Sequence, residues 1–419
     1  MKKLLVLAIV FMAGLGVAKA ENTEAQALIK EARQAIAELH LSDADAKYKE
    51  AIDVIEQELD YEEAESKAAR DEWKRLQAIT QLLADGSRSL ERQDYADAGK
   101  RYAEAIETMS SYKDAIWDRA MAEAYYQWGM SFYRQENTAE AAARFREAIS
   151  KAPEQENYNK ALYNIVVRHY NEGLKYYRRR DFRNARLEYE QSVAVDPTFS
   201  QGYYMLALIA KMDNDADKAM DYYQKAIDND PRYYIAWFGL GKLYTDLGRM
   251  SKAVDAFSRT ISINPTYHKA YFERGQAYLS LKEKSKAIAD LQMALSLDDE
   301  YTLAYEALGL VYNEDHKYEE AIRLLMPIKG TKSASYKTCY YMAQAYNETK
   351  NFEEALKCAT NSLTQKSGWA PALFEKGRAL AAMNQKSEAI AAFKQAAKDS
   401  RWKSAAEYEI NLLTKWADR

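Results

Sequence analysis

Alanine recurs every 34 residues through the second half of this chain, at Ala185, Ala219, Ala253, Ala287, Ala321, Ala355 and Ala389. Twelve residues before each stands a glycine or another alanine: Gly173, Ala207, Gly241, Gly275, Gly309, Ala343 and Gly377. An unbroken period of this length restricts the chain to stacked helix pairs, each burying its apolar face against the next. The two small residues mark where antiparallel helices within a unit come close. A larger side chain there would overpack the contact by about 1–3 kcal/mol.

With units numbered from Val166, position 4 is His169, Tyr203, Trp237, Tyr271, Tyr305, Cys339 and Leu373. Position 11 is Tyr176, Ala210, Tyr244, Tyr278, Tyr312, Tyr346 and Leu380, and position 24 is Tyr189, Tyr223, Phe257, Leu291, Leu325, Ala359 and Phe393. Position 32 is proline in three successive units, at Pro197, Pro231 and Pro265. This arrangement resembles the tetratricopeptide repeat. The resemblance implies an all-α fold, a right-handed superhelical solenoid of stacked antiparallel helix pairs. It covers residues 166–403 as seven contiguous units, and residues 404–419 read as a C-terminal capping helix, with Tyr408, Leu412, Leu413 and Trp416 at helical spacing.

The pattern continues upstream less regularly. One unit starts at Ala122, with Gly129, Ala141, Phe145 and Pro153, and weaker ones start near Ile79 and Ala25, giving about ten helix pairs. Extra segments at 59–78, 113–121 and 156–165 contain neither glycine nor proline, so we read them as extensions of the helices that follow. Ser42 before Asp43 reads as an N-cap. Residues 21–165 thus form an N-terminal module with longer helices. Pro327 falls within a second helix, which is expected to stop near Met326.

Residues 1–20 differ from everything that follows. Lys2 and Lys3 precede an apolar run from Leu4 to Val17 that ends in Ala18-Lys19-Ala20, the pattern of a secretory signal peptide cleaved after Ala20. The run is short for a membrane span, and no cysteine near the cleavage site indicates a lipoprotein anchor. The expected address is the bacterial periplasm, with no transmembrane segment in the mature chain. The whole chain carries a net charge of −4, and cleavage removes three lysines. Acidity and export both argue against a nucleic-acid partner.

No motif for catalysis, metal or cofactor emerges. His40, His169, His268 and His316 match no ligand spacing, and His169 occupies an aromatic packing position. Neither a phosphate loop nor a nucleophile motif is present. Cys339 and Cys358, at positions 4 and 23 of one unit, could face each other across a helix pair. A disulfide and two buried thiols both remain open.

The resemblance also implies a concave groove lined by first helices through positions 2, 5, 6, 9, 12 and 13. Position 5 is Tyr126, Tyr170, Tyr204, Phe238, Phe272, Glu306, Tyr340 and Phe374, an aromatic track broken only at Glu306. Asn171, Lys242, Lys269, Gln276 and Asn313 are its polar companions. The family's carboxylate clamp is not matched, since Lys269 has Glu273 where an arginine would stand. Arg178, Arg179, Arg180 and Arg183 form a basic cluster that could dock an acidic partner. The expected function is a non-enzymatic scaffold binding a partner protein or extended peptide in the groove. The alternative is a glycan or other small ligand stacked on the rings.

Overall fold

A computed structural model describes residues 23–38, 40–57, 63–113, 115–331 and 334–415. The leader 1–20 and Trp416 therefore lie outside the described residues. By contacts the chain forms two compact units, Met1–Gly202 and Tyr203–Arg419. All regular secondary structure among the described residues is helical.

In the first unit α1 (Thr23–Ala37) pairs with α2 (Leu41–Gln57), and α3 (Glu63–Glu91) with α4 (Tyr95–Ser110). Next come α5 (Asp118–Arg134) with α6 (Thr138–Lys151), and α7 (Glu156–Arg178) with α8 (Phe182–Val195). The chain continues through α9 (Ser200–Met212) and α10 (Ala216–Asn229), joined in the second unit by Tyr203 on Tyr222 and Tyr204 on Tyr223. There follow the pairs α11 (Tyr234–Asp246) with α12 (Met250–Ile263), and α13 (His268–Ser280) with α14 (Lys284–Leu297). The last are α15 (Thr302–Glu314) with α16 (Tyr318–Leu325), α17 (Tyr336–Glu348) with α18 (Phe352–Gln365), and α19 (Ala370–Ala382) with α20 (Lys386–Ala396), before α21 (Ser400–Lys415).

The turn inside each pair follows one recipe. Position 15 adopts a left-handed backbone at Glu136, Arg180, Asn214, Gly248, Lys282, His316, Lys350 and Asn384. The next amide then reaches back to the carbonyl of position 11, as in Asp181 N to Tyr176 O at 3.0 Å and Arg249 N to Tyr244 O at 2.8 Å. These bonds satisfy carbonyls that a helix end would leave orphaned. Asn137, Asp181 and Asp215 cap the second helices, each side chain accepting a backbone N–H three residues on.

Packing sharpens the meaning of the small residues. Where position 8 is glycine it lies against the position-24 side chain; the repeat with Ala207 and Tyr223 departs from this, its ring lying instead over Gly239 of the next first helix. A Cβ on Gly173, Gly241 or Gly377 would lie 2.6 Å from Tyr189, Phe257 or Phe393. Opposite Gly275 the partner is Leu291, which leaves 3.2 Å. Where position 24 shrinks to Ala359, position 8 is Ala343. The period's alanines are fully buried beside these contacts.

Several boundaries differ from the sequence reading. The extensions at 63–78 and 156–165 are helical, making α3 29 and α7 23 residues long, against 13 in α11. Segment 113–121 is not a continuous extension: a 3-10 turn, Ala115–Trp117, precedes α5, because Trp117 is buried against Tyr112. Helix α2 starts at Leu41, which puts Ser42 inside its first turn and not at the cap. Helix α16 stops at Leu325, and Pro327, which has no N–H to donate, sits in a 3-10 turn. The capping helix begins at Ser400 and buries Trp402, Ala406, Ile410 and Leu413 against the last pair. Tyr408 and Leu412 face outward, at 63% and 39% exposure, because the packed face runs through Ala406 and Ile410 instead.

Candidate partner-binding surface

In the second unit the position-5 rings form a packing ladder. Most lie against position 24 of their own repeat, and all lie against an aromatic residue at or next to position 34, close to the next first helix. Tyr204 meets Tyr223 and Tyr233 at 6.1 and 5.7 Å, and Phe238 meets Phe257 and Tyr267 at 5.7 and 5.1 Å. Phe272 meets Tyr301 at 5.2 Å within the cluster that holds Leu291. Tyr340 meets Trp369 at 4.8 Å, and Phe374 meets Phe393 and Trp402 at 5.3 and 5.0 Å. Burial raises the hydroxyl pKa of Tyr301, to about 12, and that of Tyr340 further.

The first unit shows the same contacts. Tyr170 lies 5.7 Å from Tyr189 and 5.4 Å from Phe199. Tyr126 lies 5.6 Å from Phe145 and 5.0 Å from Tyr158, a residue supplied by the extension of α7. The sequence expectation of an open aromatic track therefore needs correction. These rings spend an edge or face on two neighbours and leave only part of their surface to a ligand.

Glu306, the break in the track, is buried and accepts hydrogen bonds from Ser335 Oγ at 2.6 Å and Thr338 Oγ1 at 2.7 Å. Ser335 is position 34 of that repeat. Two coordinated changes replace a ring–ring contact by a charged hydrogen-bonded one.

The polar companions divide into spent and free. Lys242 pairs with Glu273 of the next repeat at 2.6 Å, and Asn313 donates to the Tyr341 carbonyl at 2.8 Å. Asn347 does the same toward Glu375, whose buried carboxyl also meets Arg378 at 3.1 Å. Burial pushes the Glu375 carboxyl pKa up against the opposing pull of Arg378. Gln276 is partly buried, whereas Asn171 and Lys269 are exposed. Position 2 in the second unit yields an open row at equal register: Lys269, Leu303 and Lys337. Leu303 is 53% exposed. Leu303 and Lys337 were missed because the sequence reading followed rings, yet both share the register of Lys269.

Arg178, Arg179, Arg180 and Arg183 are exposed and make no salt bridge among the described residues. His169 bridges Glu188 at 2.7 Å and Thr138 Oγ1 at 2.9 Å, tying α7 to α8 and α6 rather than packing as an aromatic. Cys339 and Cys358 share one buried cluster as free thiols, so the disulfide left open by the sequence is not formed here. Burial raises both thiol pKa values, that of Cys358 to about 11. No described helix is long and apolar enough to cross a membrane.

Repeated helix pairs and a shared turn define a helical repeat protein. Models of the tetratricopeptide repeat match residues 123–154, 170–234, 214–268, 268–301 and 370–398. The matched stretches are tetratricopeptide repeats. No curated protein matches it. Among solved structures it is similar to a tetratricopeptide repeat protein from Parabacteroides merdae, with 17% identity over 60% of this chain and 99% of that one, and a TM-score of 0.43. It is also similar to PilF of Pseudomonas aeruginosa, with 14% identity over 50% of this chain and 96% of that one, and a TM-score of 0.46. PilW, a type IV pilus biogenesis factor, shows 16% identity over 48% of this chain and 93% of that one, with a TM-score of 0.42. Likenesses this distant carry no functional argument.

Proposed function

We propose that this chain is a non-enzymatic scaffold of the bacterial envelope, exported and released by cleavage after Ala20, whose first helices hold a partner protein through an extended segment. The observation that carries this reading is the row Lys269, Leu303 and Lys337, where exposed cationic and apolar side chains recur once per repeat. Leu303 by itself is one of several exposed apolar side chains, and what favours the reading is that it shares its register with Lys269 and Lys337 on consecutive repeats. Spaced one repeat apart, such side chains suit a partner that contacts several units and reads the rigid spacing between them. The rival reading, a glycan on the aromatic track, has less support because the rings are engaged with one another.

A photo-crosslinking residue at Leu303 in the exported protein tests this, with Lys357, an exposed position of the second helix α18, as control. A discrete protein adduct from Leu303 and none from Lys357 is the expected result. Equal labelling from both, or none from Leu303, overturns the groove reading. Mass spectrometry of the mature N-terminus should find Glu21, and an intact leader would remove the export part.

A further inference from the structure

Helix α7 is longer than the regular first helices, and its added turns build something that they lack. Asn157, Lys160, Asn164, Arg168, Asn171, Lys175 and Arg178 follow one another at spacings of three or four residues. At about 100° per residue these side chains fall within one narrow stripe, roughly 30 Å long. The stripe alternates amide and cation from Asn157 to Lys175, ends in a second cation, Arg178, and contains no carboxylate. Two of its cations are answered from the side, Arg168 by Glu136 at 3.1 Å and Lys175 by Glu172 at 2.5 Å. Lys160 and Arg178 have no salt bridge, and the Asn157, Asn164 and Asn171 amides no side-chain hydrogen bond, among the described residues. Arg179, Arg180 and Arg183 prolong the positive charge into the turn and the start of α8.

At its N-terminal end the stripe borders a pocket of about 180 Å3. Asn157, Lys160 and Asn164 form one wall, and Tyr126, Tyr133 and Phe145 form the aromatic side. A cavity of about 150 Å3 takes a benzene-sized group, so this one has room for a single apolar side chain. Its only charged lining group is a cation. Carbonyls and carboxylates are the groups that suit amides and an ammonium.

We propose that the α7 stripe and its pocket bind an extended acidic peptide, with one leucine- or phenylalanine-sized side chain in the pocket and carboxylates along the cations. About nine or ten extended residues span the stripe. The site rests on the reading of the chain as a peptide-holding scaffold and adds the partner's chemistry. It uses residues of the first unit only, so it can fail separately from the Leu303 experiment.

The test is fluorescence anisotropy of the full mature chain with three labelled 12-residue peptides, in which Leu and Phe alternate with Glu, with Gln or with Lys. The Glu peptide should bind at least tenfold tighter than the Gln peptide and weaken as salt rises. Lys160→Glu with Arg178→Glu, both at exposed sites, should erase that preference while circular dichroism stays unchanged. Tyr133→Ala should weaken the Glu and Gln peptides alike. Equal binding of the Glu and Gln peptides, no binding of either, or an unaltered preference in the double variant overturns the proposal. So does binding to phosphatidylglycerol vesicles in place of peptide, which would give the stripe to a membrane surface. If Leu303 still crosslinks a partner in any of these cases, only the α7 site is lost.

Discussion

Replacing Gly241 by alanine separates packing from helix propensity, because the two act in opposite directions. In an exposed helix interior, glycine to alanine stabilises by about 1 kcal/mol. Here the new Cβ would stand 2.6 Å from Cε1 and 2.7 Å from Cδ1 of Phe257. Carbon atoms in ordinary contact sit about 3.5–4.0 Å apart, so the ring would have to retreat by roughly 1 Å. It has little room to do so. Phe257 is fully buried and lies 5.7 Å from Phe238, which is itself held 5.1 Å from Tyr267. Overpacking of this kind costs about 1–3 kcal/mol, leaving a net loss of roughly 0–2 kcal/mol once propensity is subtracted. Gly275→Ala, with Leu291 at 3.2 Å, should lose less. Ala343→Gly, opposite Ala359, should lose about 1 kcal/mol of propensity and roughly 0.8 kcal/mol more for one buried methyl group. Urea unfolding by far-UV circular dichroism gives the order, and hydrogen exchange in α11 and α12 localises it, since a repeat array opens in parts. A Gly241→Ala chain stabilised against urea by the full propensity gain of about 1 kcal/mol would refute the ring-over-glycine account. A cost for Phe257→Leu that is unchanged in the Gly241→Ala background would refute it too.

Three further outcomes are expected. Glu306→Ala should cost about 2–3 kcal/mol in urea unfolding, because the Thr338 hydroxyl, fully buried, loses its acceptor; Glu306→Gln should cost less, and an equal loss from both would assign the effect to charge. The folded-state pKa of Glu375 lies above its unfolded value, so its contribution is intact at low pH and fades as pH rises from the carboxylate range through the raised pKa; Glu375→Gln should flatten that slope above about pH 4, and parallel parent and variant profiles would remove the assignment. Cys339 and Cys358 should resist a thiol reagent at about pH 8 in the folded protein, since burial keeps them protonated, and both should react in denaturant; fewer than two reactive thiols there would mean that they are bonded or oxidised in solution.

The repeat was legible because its landmarks are local. Gly173 and Ala185 sit twelve residues apart, and their spacing alone implies two helices and a turn. The turn itself was not legible. Arg180, Lys282, Lys350 and their equivalents carry no glycine signal, yet they adopt the left-handed conformation because the next amide must reach position 11. Trp117 was read as part of a longer helix, since composition favours helix there and gives no hint that burial against Tyr112 would interrupt it.

The candidate surface divides in the same way. Position 5 was correctly singled out as aromatic, but Tyr204, Phe238 and Tyr340 cannot show by identity alone whether a ring faces solvent or Tyr233, Tyr267 and Trp369. The stripe on α7 was fully written in the sequence and went unseen, because the regular period was followed and the stripe begins in the insertion ahead of it. By itself, then, the sequence determined the helix pairs, their period and the identities that recur. Only the tertiary structure decided which recurring residues are spent between neighbours, as Lys242 is on Glu273, and which stay open, as Leu303 does. The period is a property of the chain read along its length. Exposure is set by side chains that arrive from other helices, and no local spacing encodes their approach.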